Sequence, residues 1–184
     1  MATLLGQPAA RASGPSQGTV RGFNHGAGAS ACIRRAKKKA IDAALGRSRG
    51  GLTTKIHAAT LNENQAVVVQ LTPGQASDCA QFESLYQALP EENVLESAAL
   101  DGAYDTNAIR ARLSLDGIEP VIPARSNRTE PISHDVIKYK QRNRVERFFN
   151  KLKQFRRIAT RYEKHAFTFL AMIHIVSAFI SARN

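Results

Sequence analysis

Over Leu52–Thr60 hydrophobic and polar positions alternate, with Thr frequent and one Ile, Ile56, and Gln65–Thr72 is a run rich in Val and Leu. With Asn62-Glu63-Asn64 between them, these segments predict an antiparallel β-hairpin. Pro73-Gly74-Gln75 turns the chain, Ser77 offers an N-cap, and Cys79–Leu89 predicts a short helix. Ala98-Ala99-Leu100 predicts a brief apolar strand that ends at Asp101. A helix capped by Asp105 or Thr106 should run to about Leu115, where Asp116-Gly117 stops it. Glu119–Pro123 supplies another strand, and Arg125–Asp135 is a polar loop.

Beyond that loop the period changes to that of a helix. At 100° per residue, Tyr139, Arg142, Glu146 and Lys153 fall within roughly a 60° arc. Val145, Phe148, Phe149, Leu152 and Phe155 form an apolar stripe centred about 110° away. The reading is one continuous basic helix with Glu146 at the rim of its buried face. Ala166–Ala182 predicts a second, apolar helix buried at the C-terminal end. A hairpin followed by alternating strands and helices gives an α/β layered domain, with helices covering a mixed sheet. Its expected extent is residues 46–184, preceded by an irregular basic segment over 1–45 that is rich in Gly, Ala, Ser and Pro.

The chain of 184 residues, 43% hydrophobic, is long enough to bury one real core. Its net charge of +11 is unevenly spread. Residues 1–58 carry ten Lys or Arg and one acid, residues 59–137 four and twelve, and residues 138–164 eleven and two. Two cationic segments flanking an acidic centre suit a polyanion held against carboxylates. Single basic side chains in these runs can equally be solvated faces.

Several classes are set aside. Cys32 and Cys79 are too few and too far apart for a zinc site or disulfide framework, which fits a reducing cytoplasm. Ala166–Ala182 is 17 residues long, short of the roughly 20 needed to span a bilayer. Met1–Ser16 lacks the charge and apolar run of a secretory signal. The glycines of Gly46-Arg47-Ser48-Arg49-Gly50-Gly51 neither follow a strand nor open a helix, so this segment reads as a flexible cationic loop rather than a nucleotide-binding one.

Asp101 stands where a strand ends and a loop begins, a place where α/β folds expose functional groups. Glu146 is one carboxylate in a dense basic run. Two carboxylates are the ligands Mg²⁺ favours, with water and phosphate oxygens completing its shell, and paired Mg²⁺ ions serve in-line phosphodiester chemistry. Arg142 could orient Glu146 and Lys153 could contact a DNA backbone, although Arg142 and Glu146 at i,i+4 could also be a plain surface ion pair. Asp105 reads chiefly as a helix cap and Asp78 as a first-turn acid favoured by the helix dipole. His57 and His174 read as strand and helix histidines rather than metal ligands.

The spacing Tyr139-x2-Arg142-x3-Glu146-x6-Lys153 resembles the catalytic-helix signature of DDE-class insertion-sequence transposases. Gly46–His57, Leu71–Asp78, the Asp101 segment and Pro123–Arg128 extend the resemblance, in order, to the insertion-sequence five family. It implies an RNase H-like fold, a catalytic set of Asp101, Glu146, Tyr139, Arg142 and Lys153, and two Mg²⁺ ions on a triad whose second and third acids are Asp101 and Glu146. Arg47, Arg49, Lys55, Arg125, Arg128, Arg144 and Lys151 are the expected DNA contacts. The implied partners are double-stranded DNA, as terminal inverted repeats and target, and a second copy of the chain, in a bacterial cytoplasm at the nucleoid.

The family's first acid falls at Ser16 or Gln17, neither of which can replace an anionic ligand, and Asp42 lies outside its context. The expectation is therefore the C-terminal catalytic part of a transposase with a displaced or frame-shifted start, and low or absent activity. The alternatives are a non-catalytic DNA-binding remnant and an RNase H-like nuclease.

Overall fold

A computed structural model describes residues 44–48, 51–91 and 95–183. The irregular segment expected over residues 1–45 thus lies almost wholly outside the described residues, as do Ser16, Gln17, Cys32, Asp42 and Arg49.

The hairpin forms as the alternation predicts. Strand β2 (Gly51–Thr60) pairs antiparallel with β3 (Ala66–Pro73), bringing Ala58 opposite Val69 and Ala59 opposite Val68. Asn62 organises the turn, its Oδ1 accepting from the N–H groups of Asn64 and Gln65 at 2.8 and 2.9 Å. A register shift at Ala59/Thr60 is a bulge, which explains why Val67 and Val68 both pack on the same core.

One expectation is corrected at the start of the domain. Gly46–Ser48 is not a free loop but a short strand, β1, paired antiparallel with Gly51–Thr53. The ladder hydrogen bonds outweigh the glycines' backbone freedom, and Gly74 lets this edge close: a β-carbon there would meet Thr53 Oγ1 at 2.1 Å.

Helix α1 (Asp78–Gln87) follows. Ser77 occupies its N-cap position but its hydroxyl makes no capping bond; Lys55 instead reaches across to Asp78 Oδ1 at 2.9 Å. Strand β4 (Ser97–Ala99) leads through a 3₁₀ turn (Gly102–Tyr104) into α2 (Asn107–Leu115), and β5 (Glu119–Val121) returns parallel to β4. Thr106 is the cap of α2, accepting from Ile109 N–H at 3.2 Å, and Gly117 at φ 74° ends the helix. Among the described residues the strands form two sheets, one of three strands and one of two, rather than one continuous mixed sheet.

The basic helix is likewise not continuous. It consists of α3 (Val136–Tyr139), a 3₁₀ turn (Lys140–Arg142) and α4 (Asn143–Lys153). A short α5 (Arg156–Ala159) and the long α6 (Ala166–Ala182) complete the fold.

The hairpin's two faces serve two cores. Ala59 and Val68 pack with Phe82, Leu85, Ala98, Leu100, Leu113 and Ile122, against α1 and α2. Ala58 and Val69 pack with Val145, Phe148, Phe149, Leu152, Phe169 and Ile173, against α4 and α6. The result is an α/β layered architecture. The α6 helix is only half-buried, contrary to expectation: Phe169, Ile173, Val176 and Ile180 face the core, while Phe167, Ile175 and Phe179 are exposed. Among the described residues no helix is long and apolar enough to cross a membrane.

Candidate active site

Strand β4 carries Asp101 to the surface. Its preceding residues, Ala98, Ala99 and Leu100, are fully buried, so the strand end is fixed by packing on both faces. Asp101 then adopts an extended backbone and caps the 3₁₀ turn, its Oδ1 accepting from Ala103 N–H at 3.0 Å. Leu100 N–H donates to Val121 O at 3.1 Å, tying this turn to β5.

The second carboxylate arrives from α4, whose Val145, Phe148, Phe149 and Leu152 anchor it to the hairpin. Arg142 joins the two. Its Nη2 lies 2.9 Å from Asp101 Oδ2 and its Nη1 2.6 Å from Glu146 Oε1. The acids are 42% and 48% exposed, while the arginine between them is 20% exposed. Burial disfavours the Arg142 charge, but the Glu146 hydrogen bond and the nearby Tyr139, Asp101 and Glu146 outweigh it, so its pKa lies above the ordinary guanidinium value.

The 3₁₀ turn has a direct consequence here. Side chains three apart lie close to one face in that geometry, and Tyr139, just before the turn, and Arg142, at its end, are near enough to influence each other electrostatically. Tyr139 packs on Ala99 and Val121 and meets the His134 ring edge-on at 5.1 Å. Burial pushes its phenol pKa up; Arg142 opposes this, and Asp101 and Glu146 reinforce it.

A buried ion cluster supports the Asp101 turn from behind. Asp105 Oδ1 receives Arg110 Nε at 2.8 Å and Arg128 Nη1 at 2.9 Å, and its Oδ2 receives Arg125 N–H at 2.9 Å. Burial raises the Asp105 pKa, but the Arg125 N–H and the two guanidiniums overcome it and hold the carboxyl below its ordinary range. Arg125 also donates to Gly102 O at 2.9 Å and to Ala103 O. Asp105 is thus an internal strut, and Thr106 takes the capping role.

The sequence-predicted residues divide accordingly. Asp101, Tyr139, Arg142 and Glu146 come together. Lys153 is exposed at the end of α4 and lines a separate cleft with Thr53, Thr54 and Arg161. Of the expected DNA contacts, Arg47 is exposed and Arg144 half-buried. Lys55 is engaged by Ala76 O and Asp78, Arg125 and Arg128 by the cluster above, and Lys151 by Asn64. His57 is buried, with Nε2 2.8 Å from Thr72 Oγ1 and Nδ1 without a partner, and burial lowers its pKa to about 4. His174 is exposed.

Two acids joined by an arginine do not suit a pair of Mg²⁺ ions, which need several oxygen ligands. Asp101 Oδ1 is committed to a backbone N–H and Oδ2 to Arg142. Among the described residues no three of His, Cys, Asp and Glu cluster as a metal site.

Comparison with known proteins gives the class. Residues 19–180 match the family described as Transposase DDE domain. Over 133 residues the chain is 34% identical to a putative transposase for insertion sequence element IS6501 of Brucella ovis, covering 72% of this chain and 100% of that protein. No solved structure matches. The chain belongs to the transposase DDE domain family, in the class that insertion sequences encode.

Proposed function

We propose that this chain is an RNase H-like catalytic domain of the insertion-sequence five group, in which Asp101 and Glu146 are the second and third acids of the family's triad. The observation that carries this reading is the convergence of Asp101, at the end of β4, with Tyr139, Arg142 and Glu146, 41 residues away in sequence at the Arg142 bridge. The chain binds DNA through exposed cations such as Arg47 and Lys153, assisted by Arg144. It pairs with a second copy to hold two element ends.

Its strand cleavage and transfer are weak or absent as it stands. Ser16 and Gln17 occupy the places where an acid is needed, and Arg142 bridges the two acids that remain and offsets half of their charge. Duplex carrying terminal inverted repeats, incubated with the purified chain and Mg²⁺, should be bound but give few or no joined products. Binding should weaken steeply with salt and survive both chelator and Asp101→Asn. Efficient Mg²⁺-dependent joining that Glu146→Gln abolishes would overturn the inactivity, and cleavage without joining would favour a nuclease.

A further inference from the structure

Helix α6 lacks the charged outer face that a surface helix ordinarily carries. Its 17 residues include no Asp, Glu, Lys or Arg, and they lie in the longest run of the chain without one. Phe169, Ile173, Val176 and Ile180 fill the core shared with α4 and the hairpin. The opposite side is apolar too: Phe167 is 81% exposed and Ile175 71%. At 100° per residue, Phe167, Ala171, Ile175, Ala178 and Ala182 fall within an arc of about 80° facing away from that core. Thr168 and His174 are the exposed polar side chains beside them. A helix that is hydrophobic all round is ordinarily covered all round.

Charge narrows what the cover is. Two copies of a chain with a net charge of +11 repel each other as wholes, so they meet best where neither brings a charge. The outer face of α6 meets that condition, and it offers DNA no cation.

Shape favours an antiparallel pair. In a two-fold contact the same patch serves both copies. With the axis level with Ile173, Phe167 falls opposite Ala178 of the other copy and Ile175 opposite Ala171, so each large side chain meets a small one. A parallel pair would set Phe167 on Phe167 and Ile175 on Ile175, with the alanines facing across a gap. At 1.5 Å per residue the helix is about 26 Å long, so its face supplies less than the roughly 800 Å² per partner of a standard interface. The contact is accordingly weak, with a dissociation constant of about 10 µM.

We infer that the outer face of α6 is the surface on which two copies of this chain pair, antiparallel, with Phe167 and Ile175 as its anchors. The inference rests on the pairing proposed above and gives it a place on the fold.

Sedimentation equilibrium of the purified chain without DNA, from about 1 to 200 µM, tests it and should show a monomer–dimer equilibrium. Phe167→Ala and Ile175→Asp should each weaken the dimer about a hundredfold, a factor of ten at each of two symmetry-related sites. Their circular dichroism and melting temperature should stay at wild type, because both side chains are exposed. Leu115→Asp, at an 81% exposed apolar residue on α2, should leave the dimer unchanged. A short bismaleimide should join Phe167→Cys to Ala178→Cys in a mixture, above the background from Cys32 and Cys79, and join neither variant to itself. A dimer that persists in both α6 variants, or Phe167→Cys joined to itself, would overturn this surface while leaving the pairing intact. A chain that stays monomeric throughout would overturn both. A monomer that floats with neutral lipid vesicles until Ile175→Asp releases it would assign the face to a lipid surface and overturn the dimer contact.

Discussion

Asp105→Asn isolates the strut behind the candidate site. The substitution keeps size and shape but removes the charge that faces Arg110 and Arg128, whose side chains are only 9% and 16% exposed. It also turns one acceptor oxygen into an N–H donor, placed against either Arg125 N–H or the two guanidiniums. Removing one partner of a buried ion pair costs about 3–5 kcal/mol, because the remaining charge stays buried without compensation. With a urea m-value of roughly 2 kcal/mol/M, the unfolding midpoint should fall by about 2 M. Glu63→Gln, on the exposed pair with Arg147 at 2.8 Å, is the control and should leave the midpoint close to wild type. The pH dependence gives an independent check. The folded-state pKa of Asp105 is depressed, so its contribution is complete above the ordinary carboxylate value of about 3.9 and is lost as pH falls through the folded value. The difference between wild type and Asp105→Asn should therefore close in acid. A midpoint shift below about 0.5 M with m unchanged would refute the claim that this cluster supports the Asp101 turn.

Three further outcomes follow from the same geometry. Arg142→Gln should free both carboxylates and raise the affinity for Mn²⁺ about tenfold, roughly 1.4 kcal/mol; calorimetric titration showing equal affinity in both proteins would mean that Arg142 does not guard the acids. His57, with its pKa lowered to about 4 by burial, must stay neutral in the folded chain. Its stabilising effect is complete above the unfolded value of about 6.5 and is lost as pH falls from there towards 4, amounting to about 3 kcal/mol. Denaturation midpoints measured across that range should decline in the wild type and decline less in His57→Gln. Phe148→Ala should cost about 3–5 kcal/mol by opening a cavity where α4 meets the hairpin, with Glu146 losing its fixed position; a melting temperature unchanged from wild type would refute the packing.

What was legible in the sequence, and what was not, follows from the range of the forces. The hairpin was legible because period-two alternation and an Asn-rich turn act within a few residues. The cap at Thr106 and the stop at Gly117 are local for the same reason. Gly46–Ser48 is not legible as a strand because its glycines favour a loop locally, whereas its strand character comes from pairing with β2. The exposed half of α6 is not legible because an apolar composition does not say how many faces a neighbour covers. The Arg142 bridge and the Asp105 cluster join segments 41 and 23 residues apart, and only the packed fold determines which cations find which acids.

The signature spacing itself illustrates the difference between direction and distance. Residues on one helix face point the same way, which is why Tyr139, Arg142, Glu146 and Lys153 could be grouped from their numbers alone. The axial rise separates them: at 1.5 Å per residue, Lys153 lies about 10 Å along α4 from Glu146. The signature thus groups residues that face one way but serve different places: Arg142 and Glu146 join Asp101, whereas Lys153 lines a separate cleft with Thr53, Thr54 and Arg161. Glu163 and Tyr162, which lie outside the signature, line that same cleft, and sequence periodicity has no means of showing it because the segment between α5 and α6 is irregular.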